Sequence, residues 1–285
     1  MMSGVETAAI RTPGQVLRTI LVIVFAAAWL IPTLGLLITS FRPQADIAAS
    51  GWWHIVTAPR FTEENYTGVL TARHFYVNFI NSFIITVPST VLPILIGALA
   101  AYSFSWLRFR GRNFVFLFVV ALLVLPLQET WVPVLRMHSK LGLTGHFPAI
   151  WLAHTAYGLP FAIFLLRNFF SELPRELFEA AKMDGQTEYG VFRSIVLPLS
   201  VPALASLGIF QFVWVWNDLM NALVLLQDIR KFPLTVAIQS LLGQYGSEWN
   251  LLASGAFISM SVPLIVFFLL QRYFVQGITA GAVKG

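Results

Sequence analysis

Residues 174–198 read PRELFEAAKMDGQTEYGVFRSIVLP, a polar stretch that stands between two long apolar runs of the chain. The surrounding segment from Arg167 to Arg193 holds nine charged residues, four basic and five acidic, of the 18 basic and 13 acidic residues in the chain. A plain connection between two membrane helices needs only about six residues. The length and charge of this segment therefore predict a small folded element between two membrane spans.

The first half of this segment has the pattern of a short helix. Pro174 suits the first turn of a helix, where its missing backbone donor is not needed, and Glu176 adds a favourable negative charge there. The helix-forming run ELFEAAKM follows. Asp184-Gly185 supplies the stop, because glycine adopts positive φ without strain. These residues predict a helix of about 16 Å.

The second half predicts another short helix. Thr187 suits the N-cap position, the helix extends to Ile195, and Leu197-Pro198 then begins the next span. We therefore expect a helix–turn–helix element that leads directly into the membrane.

One face of the first short helix is partly acidic and partly small or flexible. It carries Glu176, Glu179, Ala180 and Met183. Such a face suits docking into a cleft of another protein. The residues leave a second interpretation open, in which a solvated amphipathic helix lies on the membrane surface.

The composition of the 285 residues places the chain in a membrane. Hydrophobic residues make up 57% and charged residues 11%, with a mean hydropathy of +0.75. A soluble domain carries roughly 25% charged residues. The absence of cysteine excludes disulfides, thiol catalysis, iron–sulfur clusters and cysteine-ligated zinc. The net charge of +5 is not concentrated in a basic run, so it indicates a biased membrane face rather than nucleic-acid binding.

Long gaps between charges predict six membrane spans, since a span needs about 20 apolar residues. The predicted helices are Val16–Thr39, Phe75–Trp106, Asn113–Val134, Phe147–Leu166, Leu197–Met220 and Leu252–Tyr273. The first is too long for a signal peptide and is expected to remain as an anchor. We expect residues 1–15 to form a cytoplasmic tail and residues 16–285 one transmembrane domain, with a loop at 167–196.

Six spans place both termini on one side of the membrane. With the termini in the cytoplasm, 11 of the 18 Lys and Arg residues are cytoplasmic, including the Arg108-Phe-Arg-Gly-Arg112 turn. The positive-inside rule therefore predicts cytoplasmic termini.

The chain lacks the usual signatures of catalysis. Its five histidines have no metal-ligand spacing, and it contains neither a phosphate-binding Gly-x4-Gly-Lys-Ser/Thr loop nor a Gly-x-Ser-x-Gly elbow. Asp218 is the main carboxylate within a predicted span, whereas ion-coupled carriers need such groups at mid-membrane depth. Energy for any transport is therefore expected from a partner. A membrane-embedded enzyme and a self-sufficient secondary carrier stay open as alternatives.

Polar side chains in two spans are candidates for a sugar path. On the fifth predicted span, Gln211, Trp214, Asp218 and Asn221 fall within about an 80° arc of one helix, and Asn217 lies beside them. Asn78, Asn81 and Ser82 share a face of the second span. A sugar offers hydroxyl groups, which bind hydrogen-bond donors and acceptors, and an apolar ring face, which packs on an aromatic side chain. A sugar site therefore needs donors and acceptors beside an aromatic ring. The alternative is that these polar groups join helices within the bundle.

The segment from Phe41 to Arg73, which the predicted topology places outside the cell and which we call the outer segment, contains Gly51-Trp52-Trp53. This aromatic pair either anchors the segment at the lipid interface or meets an external protein.

The charged segment resembles a known motif. Glu179-Ala180-Ala181, three further residues, Gly185, nine further residues and Ile195-x-Leu197-Pro198 resemble the EAA motif of permease subunits of ATP-binding-cassette (ABC) importers. The chain is most similar to carbohydrate-type permeases such as the smaller permease of the maltose system. Further matching stretches are Asn81-Ser82-Phe83-Ile84, Ala100-Ala101-Tyr102-Ser103-Phe104, Leu159-Pro160-Phe161, Trp216-Asn217-Asp218 and Pro233-Leu234-Thr235.

This resemblance implies an all-α membrane protein with the six-helix type I importer permease fold, in a bacterial or archaeal cell membrane. It implies a second, different permease, two ATPase subunits that hold ATP and Mg, and an extracytoplasmic solute-binding protein. No enzyme activity, cofactor, metal or nucleic-acid partner is expected for this chain itself.

The resemblance also assigns residues that couple the permease to the ATPase. They are Glu176, Glu179, Ala180, Ala181, Met183, Asp184, Gly185, Ile195, Leu197 and Pro198. By this resemblance Glu179 meets basic groups of the ATPase, Ala180 and Ala181 allow close approach, and Gly185 sets the angle between the two short helices.

Overall fold

The computed structural model describes residues 13–71, 75–244 and 248–282. Most of the predicted cytoplasmic tail, and the basic residues Arg11, Arg73 and Lys284, lie outside these ranges. Within the described ranges every regular element is helical, as the sequence predicts.

The helices follow one another in chain order. They are α1 (Pro13–Ser40), α2 (Gln44–Ala49), α3 (Glu64–Thr71), α4 (Phe75–Trp106), α5 (Arg112–Ala121), α6 (Leu127–Lys140), α7 (Phe147–Ser171), α8 (Arg175–Met183), α9 (Glu188–Val191), α10 (Leu197–Leu199), α11 (Val201–Trp216), α12 (Met220–Leu225), α13 (Leu234–Gln244) and α14 (Trp249–Ala282). Short 3₁₀ turns lie at Trp52–Val56, Leu122–Val124 and Ile229–Lys231, and a π-helical turn lies at Phe192–Val196.

Four of the helices are long and apolar enough to cross a membrane. They are α1, α4, α7 and α14, the last over Trp249–Tyr273, and they match four predicted spans. Two bent helix pairs, α5–α6 and α9–α11, raise the number of spans to six if each pair counts as one.

The prediction of one continuous helix over Asn113–Val134 is wrong. The chain bends by 104° between the helical segments Arg112–Val124 and Leu127–Lys140. Leu125 has an extended backbone with ψ of 124°, as expected for a residue before a proline, and Pro126 cannot donate a hydrogen bond to the preceding turn. The third span is therefore broken at Pro126.

The prediction of one helix over Leu197–Met220 is also wrong. The chain bends by 74° at Ser200, between Glu188–Leu199 and Val201–Trp216. Pro202 stands in the first turn of α11, where its missing donor is tolerated, so it favours a new helix start there. Leu197-Pro198 therefore ends the polar segment, and the fifth span begins at Val201.

The contacts within the chain divide the described residues into two compact units. The first unit contains the described residues 13–69 and 248–257, the latter including the start of α14. In this unit Arg42 is 4% exposed, and its guanidinium donates to the carbonyl oxygens of Asp46 and Ser50. A buried arginine is tolerated here because backbone carbonyls satisfy its donors.

The aromatic pair of the outer segment is also in the first unit. Trp52 packs against Gly35 of α1, whereas Trp53 is 61% exposed. Both interpretations of the pair stay predictions.

The second unit contains the described residues 70–71, 75–244 and 258–282. Helix α4 packs along α7, and a Cβ at Gly97 would lie 2.8 Å from the Cβ of Ala162. Such a close approach is possible only without a side chain, and small residues commonly bring membrane helices together in this way. The core at this helix pair supports the polar segment described next.

Candidate functional site

The helix α8 begins one residue later than predicted. Pro174 is its N-cap, and the helix ends at Met183. The stop is as predicted, because Gly185 has a φ of 77° and its N–H donates to the carbonyl of Lys182 at 3.1 Å. The left-handed backbone turns the chain toward α9.

The second short helix begins at the predicted cap. The hydroxyl of Thr187 accepts a hydrogen bond from the N–H of Gly190 at 3.1 Å. The helical path continues from α9 through the π-helical turn Phe192–Val196 to α10. The folded element expected from the predicted loop 167–196 covers residues 174–199, and we call these residues the coupling loop, after the function that the resemblance predicts for them.

The inner face of the coupling loop is anchored in the core of the second unit. Its buried apolar residues are Phe178, Ala181, Val191, Phe192 and Val196, which pack with Ala98, Ala101, Tyr102, Ala162, Leu166 and Phe170 of α4 and α7. The ring of Phe178 stacks on Trp106 with centroids 3.6 Å apart. Burial of one such ring contributes roughly 1.5–3 kcal/mol. The loop is therefore fixed to the bundle by its inner face.

A polar bridge joins the two short helices to α4. The hydroxyl of Tyr102 donates to one carboxylate oxygen of Glu188 at 2.7 Å, and Lys182 donates to the other at 2.8 Å. The hydrogen bond from Lys182, followed by that from Tyr102, lowers the pKa of Glu188 below its usual value. A movement of the coupling loop is thus linked mechanically to the end of α4.

The outer face of the loop is exposed. The predicted coupling residues found there are Glu176, Glu179, Ala180, Met183, Asp184, Gly185 and Pro198. Ala181, which the resemblance expects to allow close approach of the ATPase, is instead 4% exposed and packs in the core. Ile195 and Leu197 are half-buried against the same core.

The arc proposed for the sugar path is not part of one helix. Helix α11 ends at Trp216, Asn217 is its exposed C-cap, and α12 begins at Met220. The carboxylate of Asp218 accepts hydrogen bonds from the backbone N–H groups of Asn221 and Ala222. An aspartate that caps the next helix in this way competes with continuation of the previous one.

The structure nevertheless brings three of these residues together. The side-chain amide of Asn221 donates to Asp218 at 2.9 Å and its oxygen accepts from the indole of Trp131 at 3.1 Å. His154 is fully buried, with Nε2 at 3.6 Å from Asp218 and its ring edge-to-face with Trp214 at 5.3 Å. The result is a polar and aromatic cluster between α7 and the end of α11.

The other candidates lie elsewhere. Gln211 is buried and donates to the carbonyl of Ser89 at 3.2 Å. Asn78 and Asn81 donate to the carbonyl of Phe232, and the hydroxyl of Ser82 accepts from the N–H of Leu234 at 2.8 Å. Asn78, Asn81 and Ser82 thus hold the segment before α13 against α4, whereas Gln211 joins α11 to α4.

Several residues of these sites were missed from the sequence. Trp106 and Tyr102 looked like ordinary span residues, and their contacts with the loop depend on tertiary packing. His154 did carry a signal, since an ionisable residue within a span is by default a candidate for function. Among the described residues no group of three or more metal-ligating side chains is present.

Comparison with known proteins identifies relatives over most of the chain. A sequence profile described as "Binding-protein-dependent transport system inner membrane component" matches residues 65–280. The chain is 50% identical over 270 residues to the osmoprotective compounds uptake permease protein GgtD of Synechocystis sp., covering 93% of this chain and 91% of that protein. It is also 50% identical over 235 residues to the alpha-glucoside transport system permease protein AglG of Rhizobium meliloti, covering 80% of this chain and 62% of that one.

The fold also matches a solved structure. A chain in the crystal structure of a bacterial ABC transporter involved in the import of the acidic polysaccharide alginate superposes with a TM-score of 0.74 at 22% identity. The match covers 94% of this chain and 100% of that chain.

Proposed function

Because the chain belongs to the family of binding-protein-dependent transport system inner membrane components, we propose that it forms half of the translocation pathway of an ATP-driven importer for a sugar or a related polyol or glycoside. The observation that carries this proposal is the family match, which covers residues 65–280 and thus the whole coupling loop. As a member of this family the chain is a permease subunit and not an enzyme. Family membership also favours this function over the two alternatives that the sequence left open, a membrane-embedded enzyme and a secondary carrier.

The coupling loop transmits movement between the ATPase and the membrane helices. Its outer face carries Glu176, Glu179 and Ala180, which suit a groove of an ATPase with basic groups. Its inner face is fixed to α4 through the Trp106–Phe178 stack. A shift of the ATPase therefore biases the helix bundle between inward-open and outward-open states.

The substrate class follows from relatives. One relative is a permease for osmoprotective compounds and another for alpha-glucosides, both at 50% identity. A small glycoside or polyol is consistent with both names. The partners in this proposal are a second, different permease, two ATPase subunits that bind ATP and Mg, and an extracytoplasmic solute-binding protein. The termini and the coupling loop face the cytoplasm of a bacterial or archaeal cell, by the bias of Lys and Arg.

The test of this function is uptake by the complete importer in proteoliposomes. We expect accumulation of an α-glucoside such as maltose, or of a polyol glycoside, that requires ATP, the solute-binding protein and this chain. Uptake of an amino acid in place of these solutes would contradict the substrate class. Uptake by this chain alone, without ATP, would contradict the importer assignment.

Substitution within the polar and aromatic cluster is expected to change substrate handling. Trp214 is 37% exposed and is the ring that we place on the sugar path, whereas Trp216 is 2% exposed and lies in the core. The two residues therefore allow substitution of a path residue to be compared with substitution of a core residue. Trp214→Ala should leave the yield of complex within about twofold and raise the KM for uptake several-fold. Trp216→Ala should instead lower the yield, because loss of a buried tryptophan costs about 3–5 kcal/mol.

The cluster's acid gives a second measure of the same proposal. Asp218→Asn keeps the shape of the side chain, so we expect assembly with altered uptake affinity or rate. Equal losses of complex yield and of uptake in both Asp218→Asn and Trp214→Ala would show that these side chains serve assembly alone.

A further inference from the structure

A cleft of about 690 Å³ lies between the end of α4 and the coupling loop. Trp106 and Phe178, the stacked pair, contribute aromatic surface to it. The charged residues around it are four basic and two acidic, namely Arg108, Arg112, Arg175, Lys182, Glu179 and Glu188. A second, smaller cleft of about 400 Å³ shares Arg108 and Arg112 and extends to Phe114.

The cleft keeps a net charge of +2, because four basic and two acidic residues line it. Glu188 is already held by Lys182 and Tyr102. Among the residues that the structure describes, Arg108, Arg112 and Arg175 form no ion pair. The guanidinium of Arg112 donates one hydrogen bond among the described residues, to the carbonyl of Leu107 at 3.2 Å, and keeps its other donors available. The three guanidinium groups therefore favour an anion, most of all a phosphate, which guanidinium binds in bidentate fashion.

An apolar surface begins directly beside these arginines. On α5, Phe114 is 76% exposed, Leu117 64% and Phe118 60%, and all three follow Arg112 within two helical turns. Acyl chains pack on such an apolar surface, whereas a free phosphate ion does not. Trp106 at the end of α4 is also a typical residue of the membrane–water interface. The arrangement matches a ligand with a phosphate head and hydrocarbon chains.

We propose that this cleft binds the headgroup of an anionic phospholipid. Arg108, Arg112 and Arg175 hold the phosphate, and the acyl chains lie along the exposed face of α5. Basic pockets at helix ends bind anionic headgroups in this way, each basic residue contributing through both charge and hydrogen bonds. Because Arg175, Phe178 and Lys182 of the coupling loop line the cleft together with the end of α4, a bound lipid braces the loop against α4.

The test compares two arginines of the same turn. Arg112 lines both clefts, whereas Arg110 lines neither of them. Native mass spectrometry of the full chain with added dioleoyl phosphatidylglycerol should show a retained lipid, which dioleoyl phosphatidylcholine does not replace. Arg112→Ala should weaken retention about fivefold or more, and Arg110→Ala should leave it unchanged. Arg175→Ala, at an exposed side chain, should reproduce the loss without disturbing the Arg112–Leu107 contact.

Three outcomes would overturn the proposal. Equal weakening by Arg110→Ala and Arg112→Ala would indicate diffuse attraction of lipid to a basic surface. Displacement of the lipid by inorganic phosphate at equal concentration would make free phosphate the ligand. Loss of the ATPase from purified complexes of Arg112→Ala and Arg175→Ala, with lipid retention unchanged, would make the cleft a protein contact.

Discussion

Gly185→Pro is expected to abolish coupled transport, with uptake per assembled complex reduced at least about tenfold. Proline fixes φ near −65°, whereas Gly185 has a φ of 77°. The substitution also removes the N–H that donates to the carbonyl of Lys182. The turn between α8 and α9 then takes another direction, and the coupling loop no longer presents its outer face to the ATPase. Substrate-stimulated ATP hydrolysis and uptake in proteoliposomes measure the effect.

Gly142→Pro is the matched control. Gly142 has a φ of 67°, open space around its Cα, and an N–H that donates to the carbonyl of Ser139 at 3.1 Å. Its backbone strain on substitution is therefore similar, but it follows α6 and lies outside the coupling loop. We expect a similar loss of yield for both variants and normal uptake per complex for Gly142→Pro alone. Equal uptake per complex in the two variants would contradict the function of the loop in coupling.

Ala180→Arg and Ala181→Arg are expected to fail for different reasons, although the two residues are adjacent. Ala181 is 4% exposed and packs beneath α8, so an arginine there is overpacked and buries a charge. Its destabilisation is several kcal/mol, and the yield of folded chain should fall severely. Ala180 is exposed, and arginine is a good helix former, so Ala180→Arg should fold normally.

The loss in Ala180→Arg should appear when the ATPase is added. A long charged side chain on the outer face of α8 keeps a docking partner away, so the ATPase should no longer co-purify. Size-exclusion profiles of the chain and the amount of co-purified ATPase separate the two effects. If Ala180→Arg retained the ATPase and full uptake, the outer face of α8 would not be the docking surface.

Most of the fold could be predicted because apolar length and charge spacing are local properties of the sequence. The spans beginning near Val16, Phe75, Phe147 and Leu252 were predicted within a few residues at their starts, since each is a continuous apolar run. The breaks in the third and fifth spans were not located from the sequence, because hydropathy does not register a bend. The third span breaks at Pro126, and the fifth bends at Ser200, two residues before Pro202.

The coupling loop was predicted in detail because its signals are local as well. The Thr187 cap and the stop at Gly185 follow from single residues and their neighbours. The outward face of α8 was predicted from the sequence, and its residues Glu176, Glu179, Ala180 and Met183 are exposed. The burial of Ala181 was not predicted, since Ala180 and Ala181 have the same side chain. Its burial depends on the packing of α8 against α4 and α7, including the Phe178–Trp106 stack, which joins residues from different helices.

The sugar-path candidates show the same limit. The predicted arc of Gln211, Trp214 and Asp218 assumes one continuous helix. In the structure α11 ends at Trp216, and Asp218 caps the start of the next helix. The cluster survives in part because His154 from α7 approaches Asp218 and Trp214. A partner from another helix cannot be read from spacing within one span.

The central claim is that the outer face of the coupling loop contacts the ATPase, and site-directed cross-linking tests it most directly. The chain has no native cysteine, so one introduced thiol is unique in it. In the purified importer, a thiol-to-amine cross-linker at Ala180→Cys should join the chain to the ATPase. A cysteine at Leu141, which is 63% exposed after α6 and on the opposite side of the membrane in the proposed orientation, should not. An intact complex without a cross-link from Ala180→Cys, or with equal cross-links from both positions, would contradict the account.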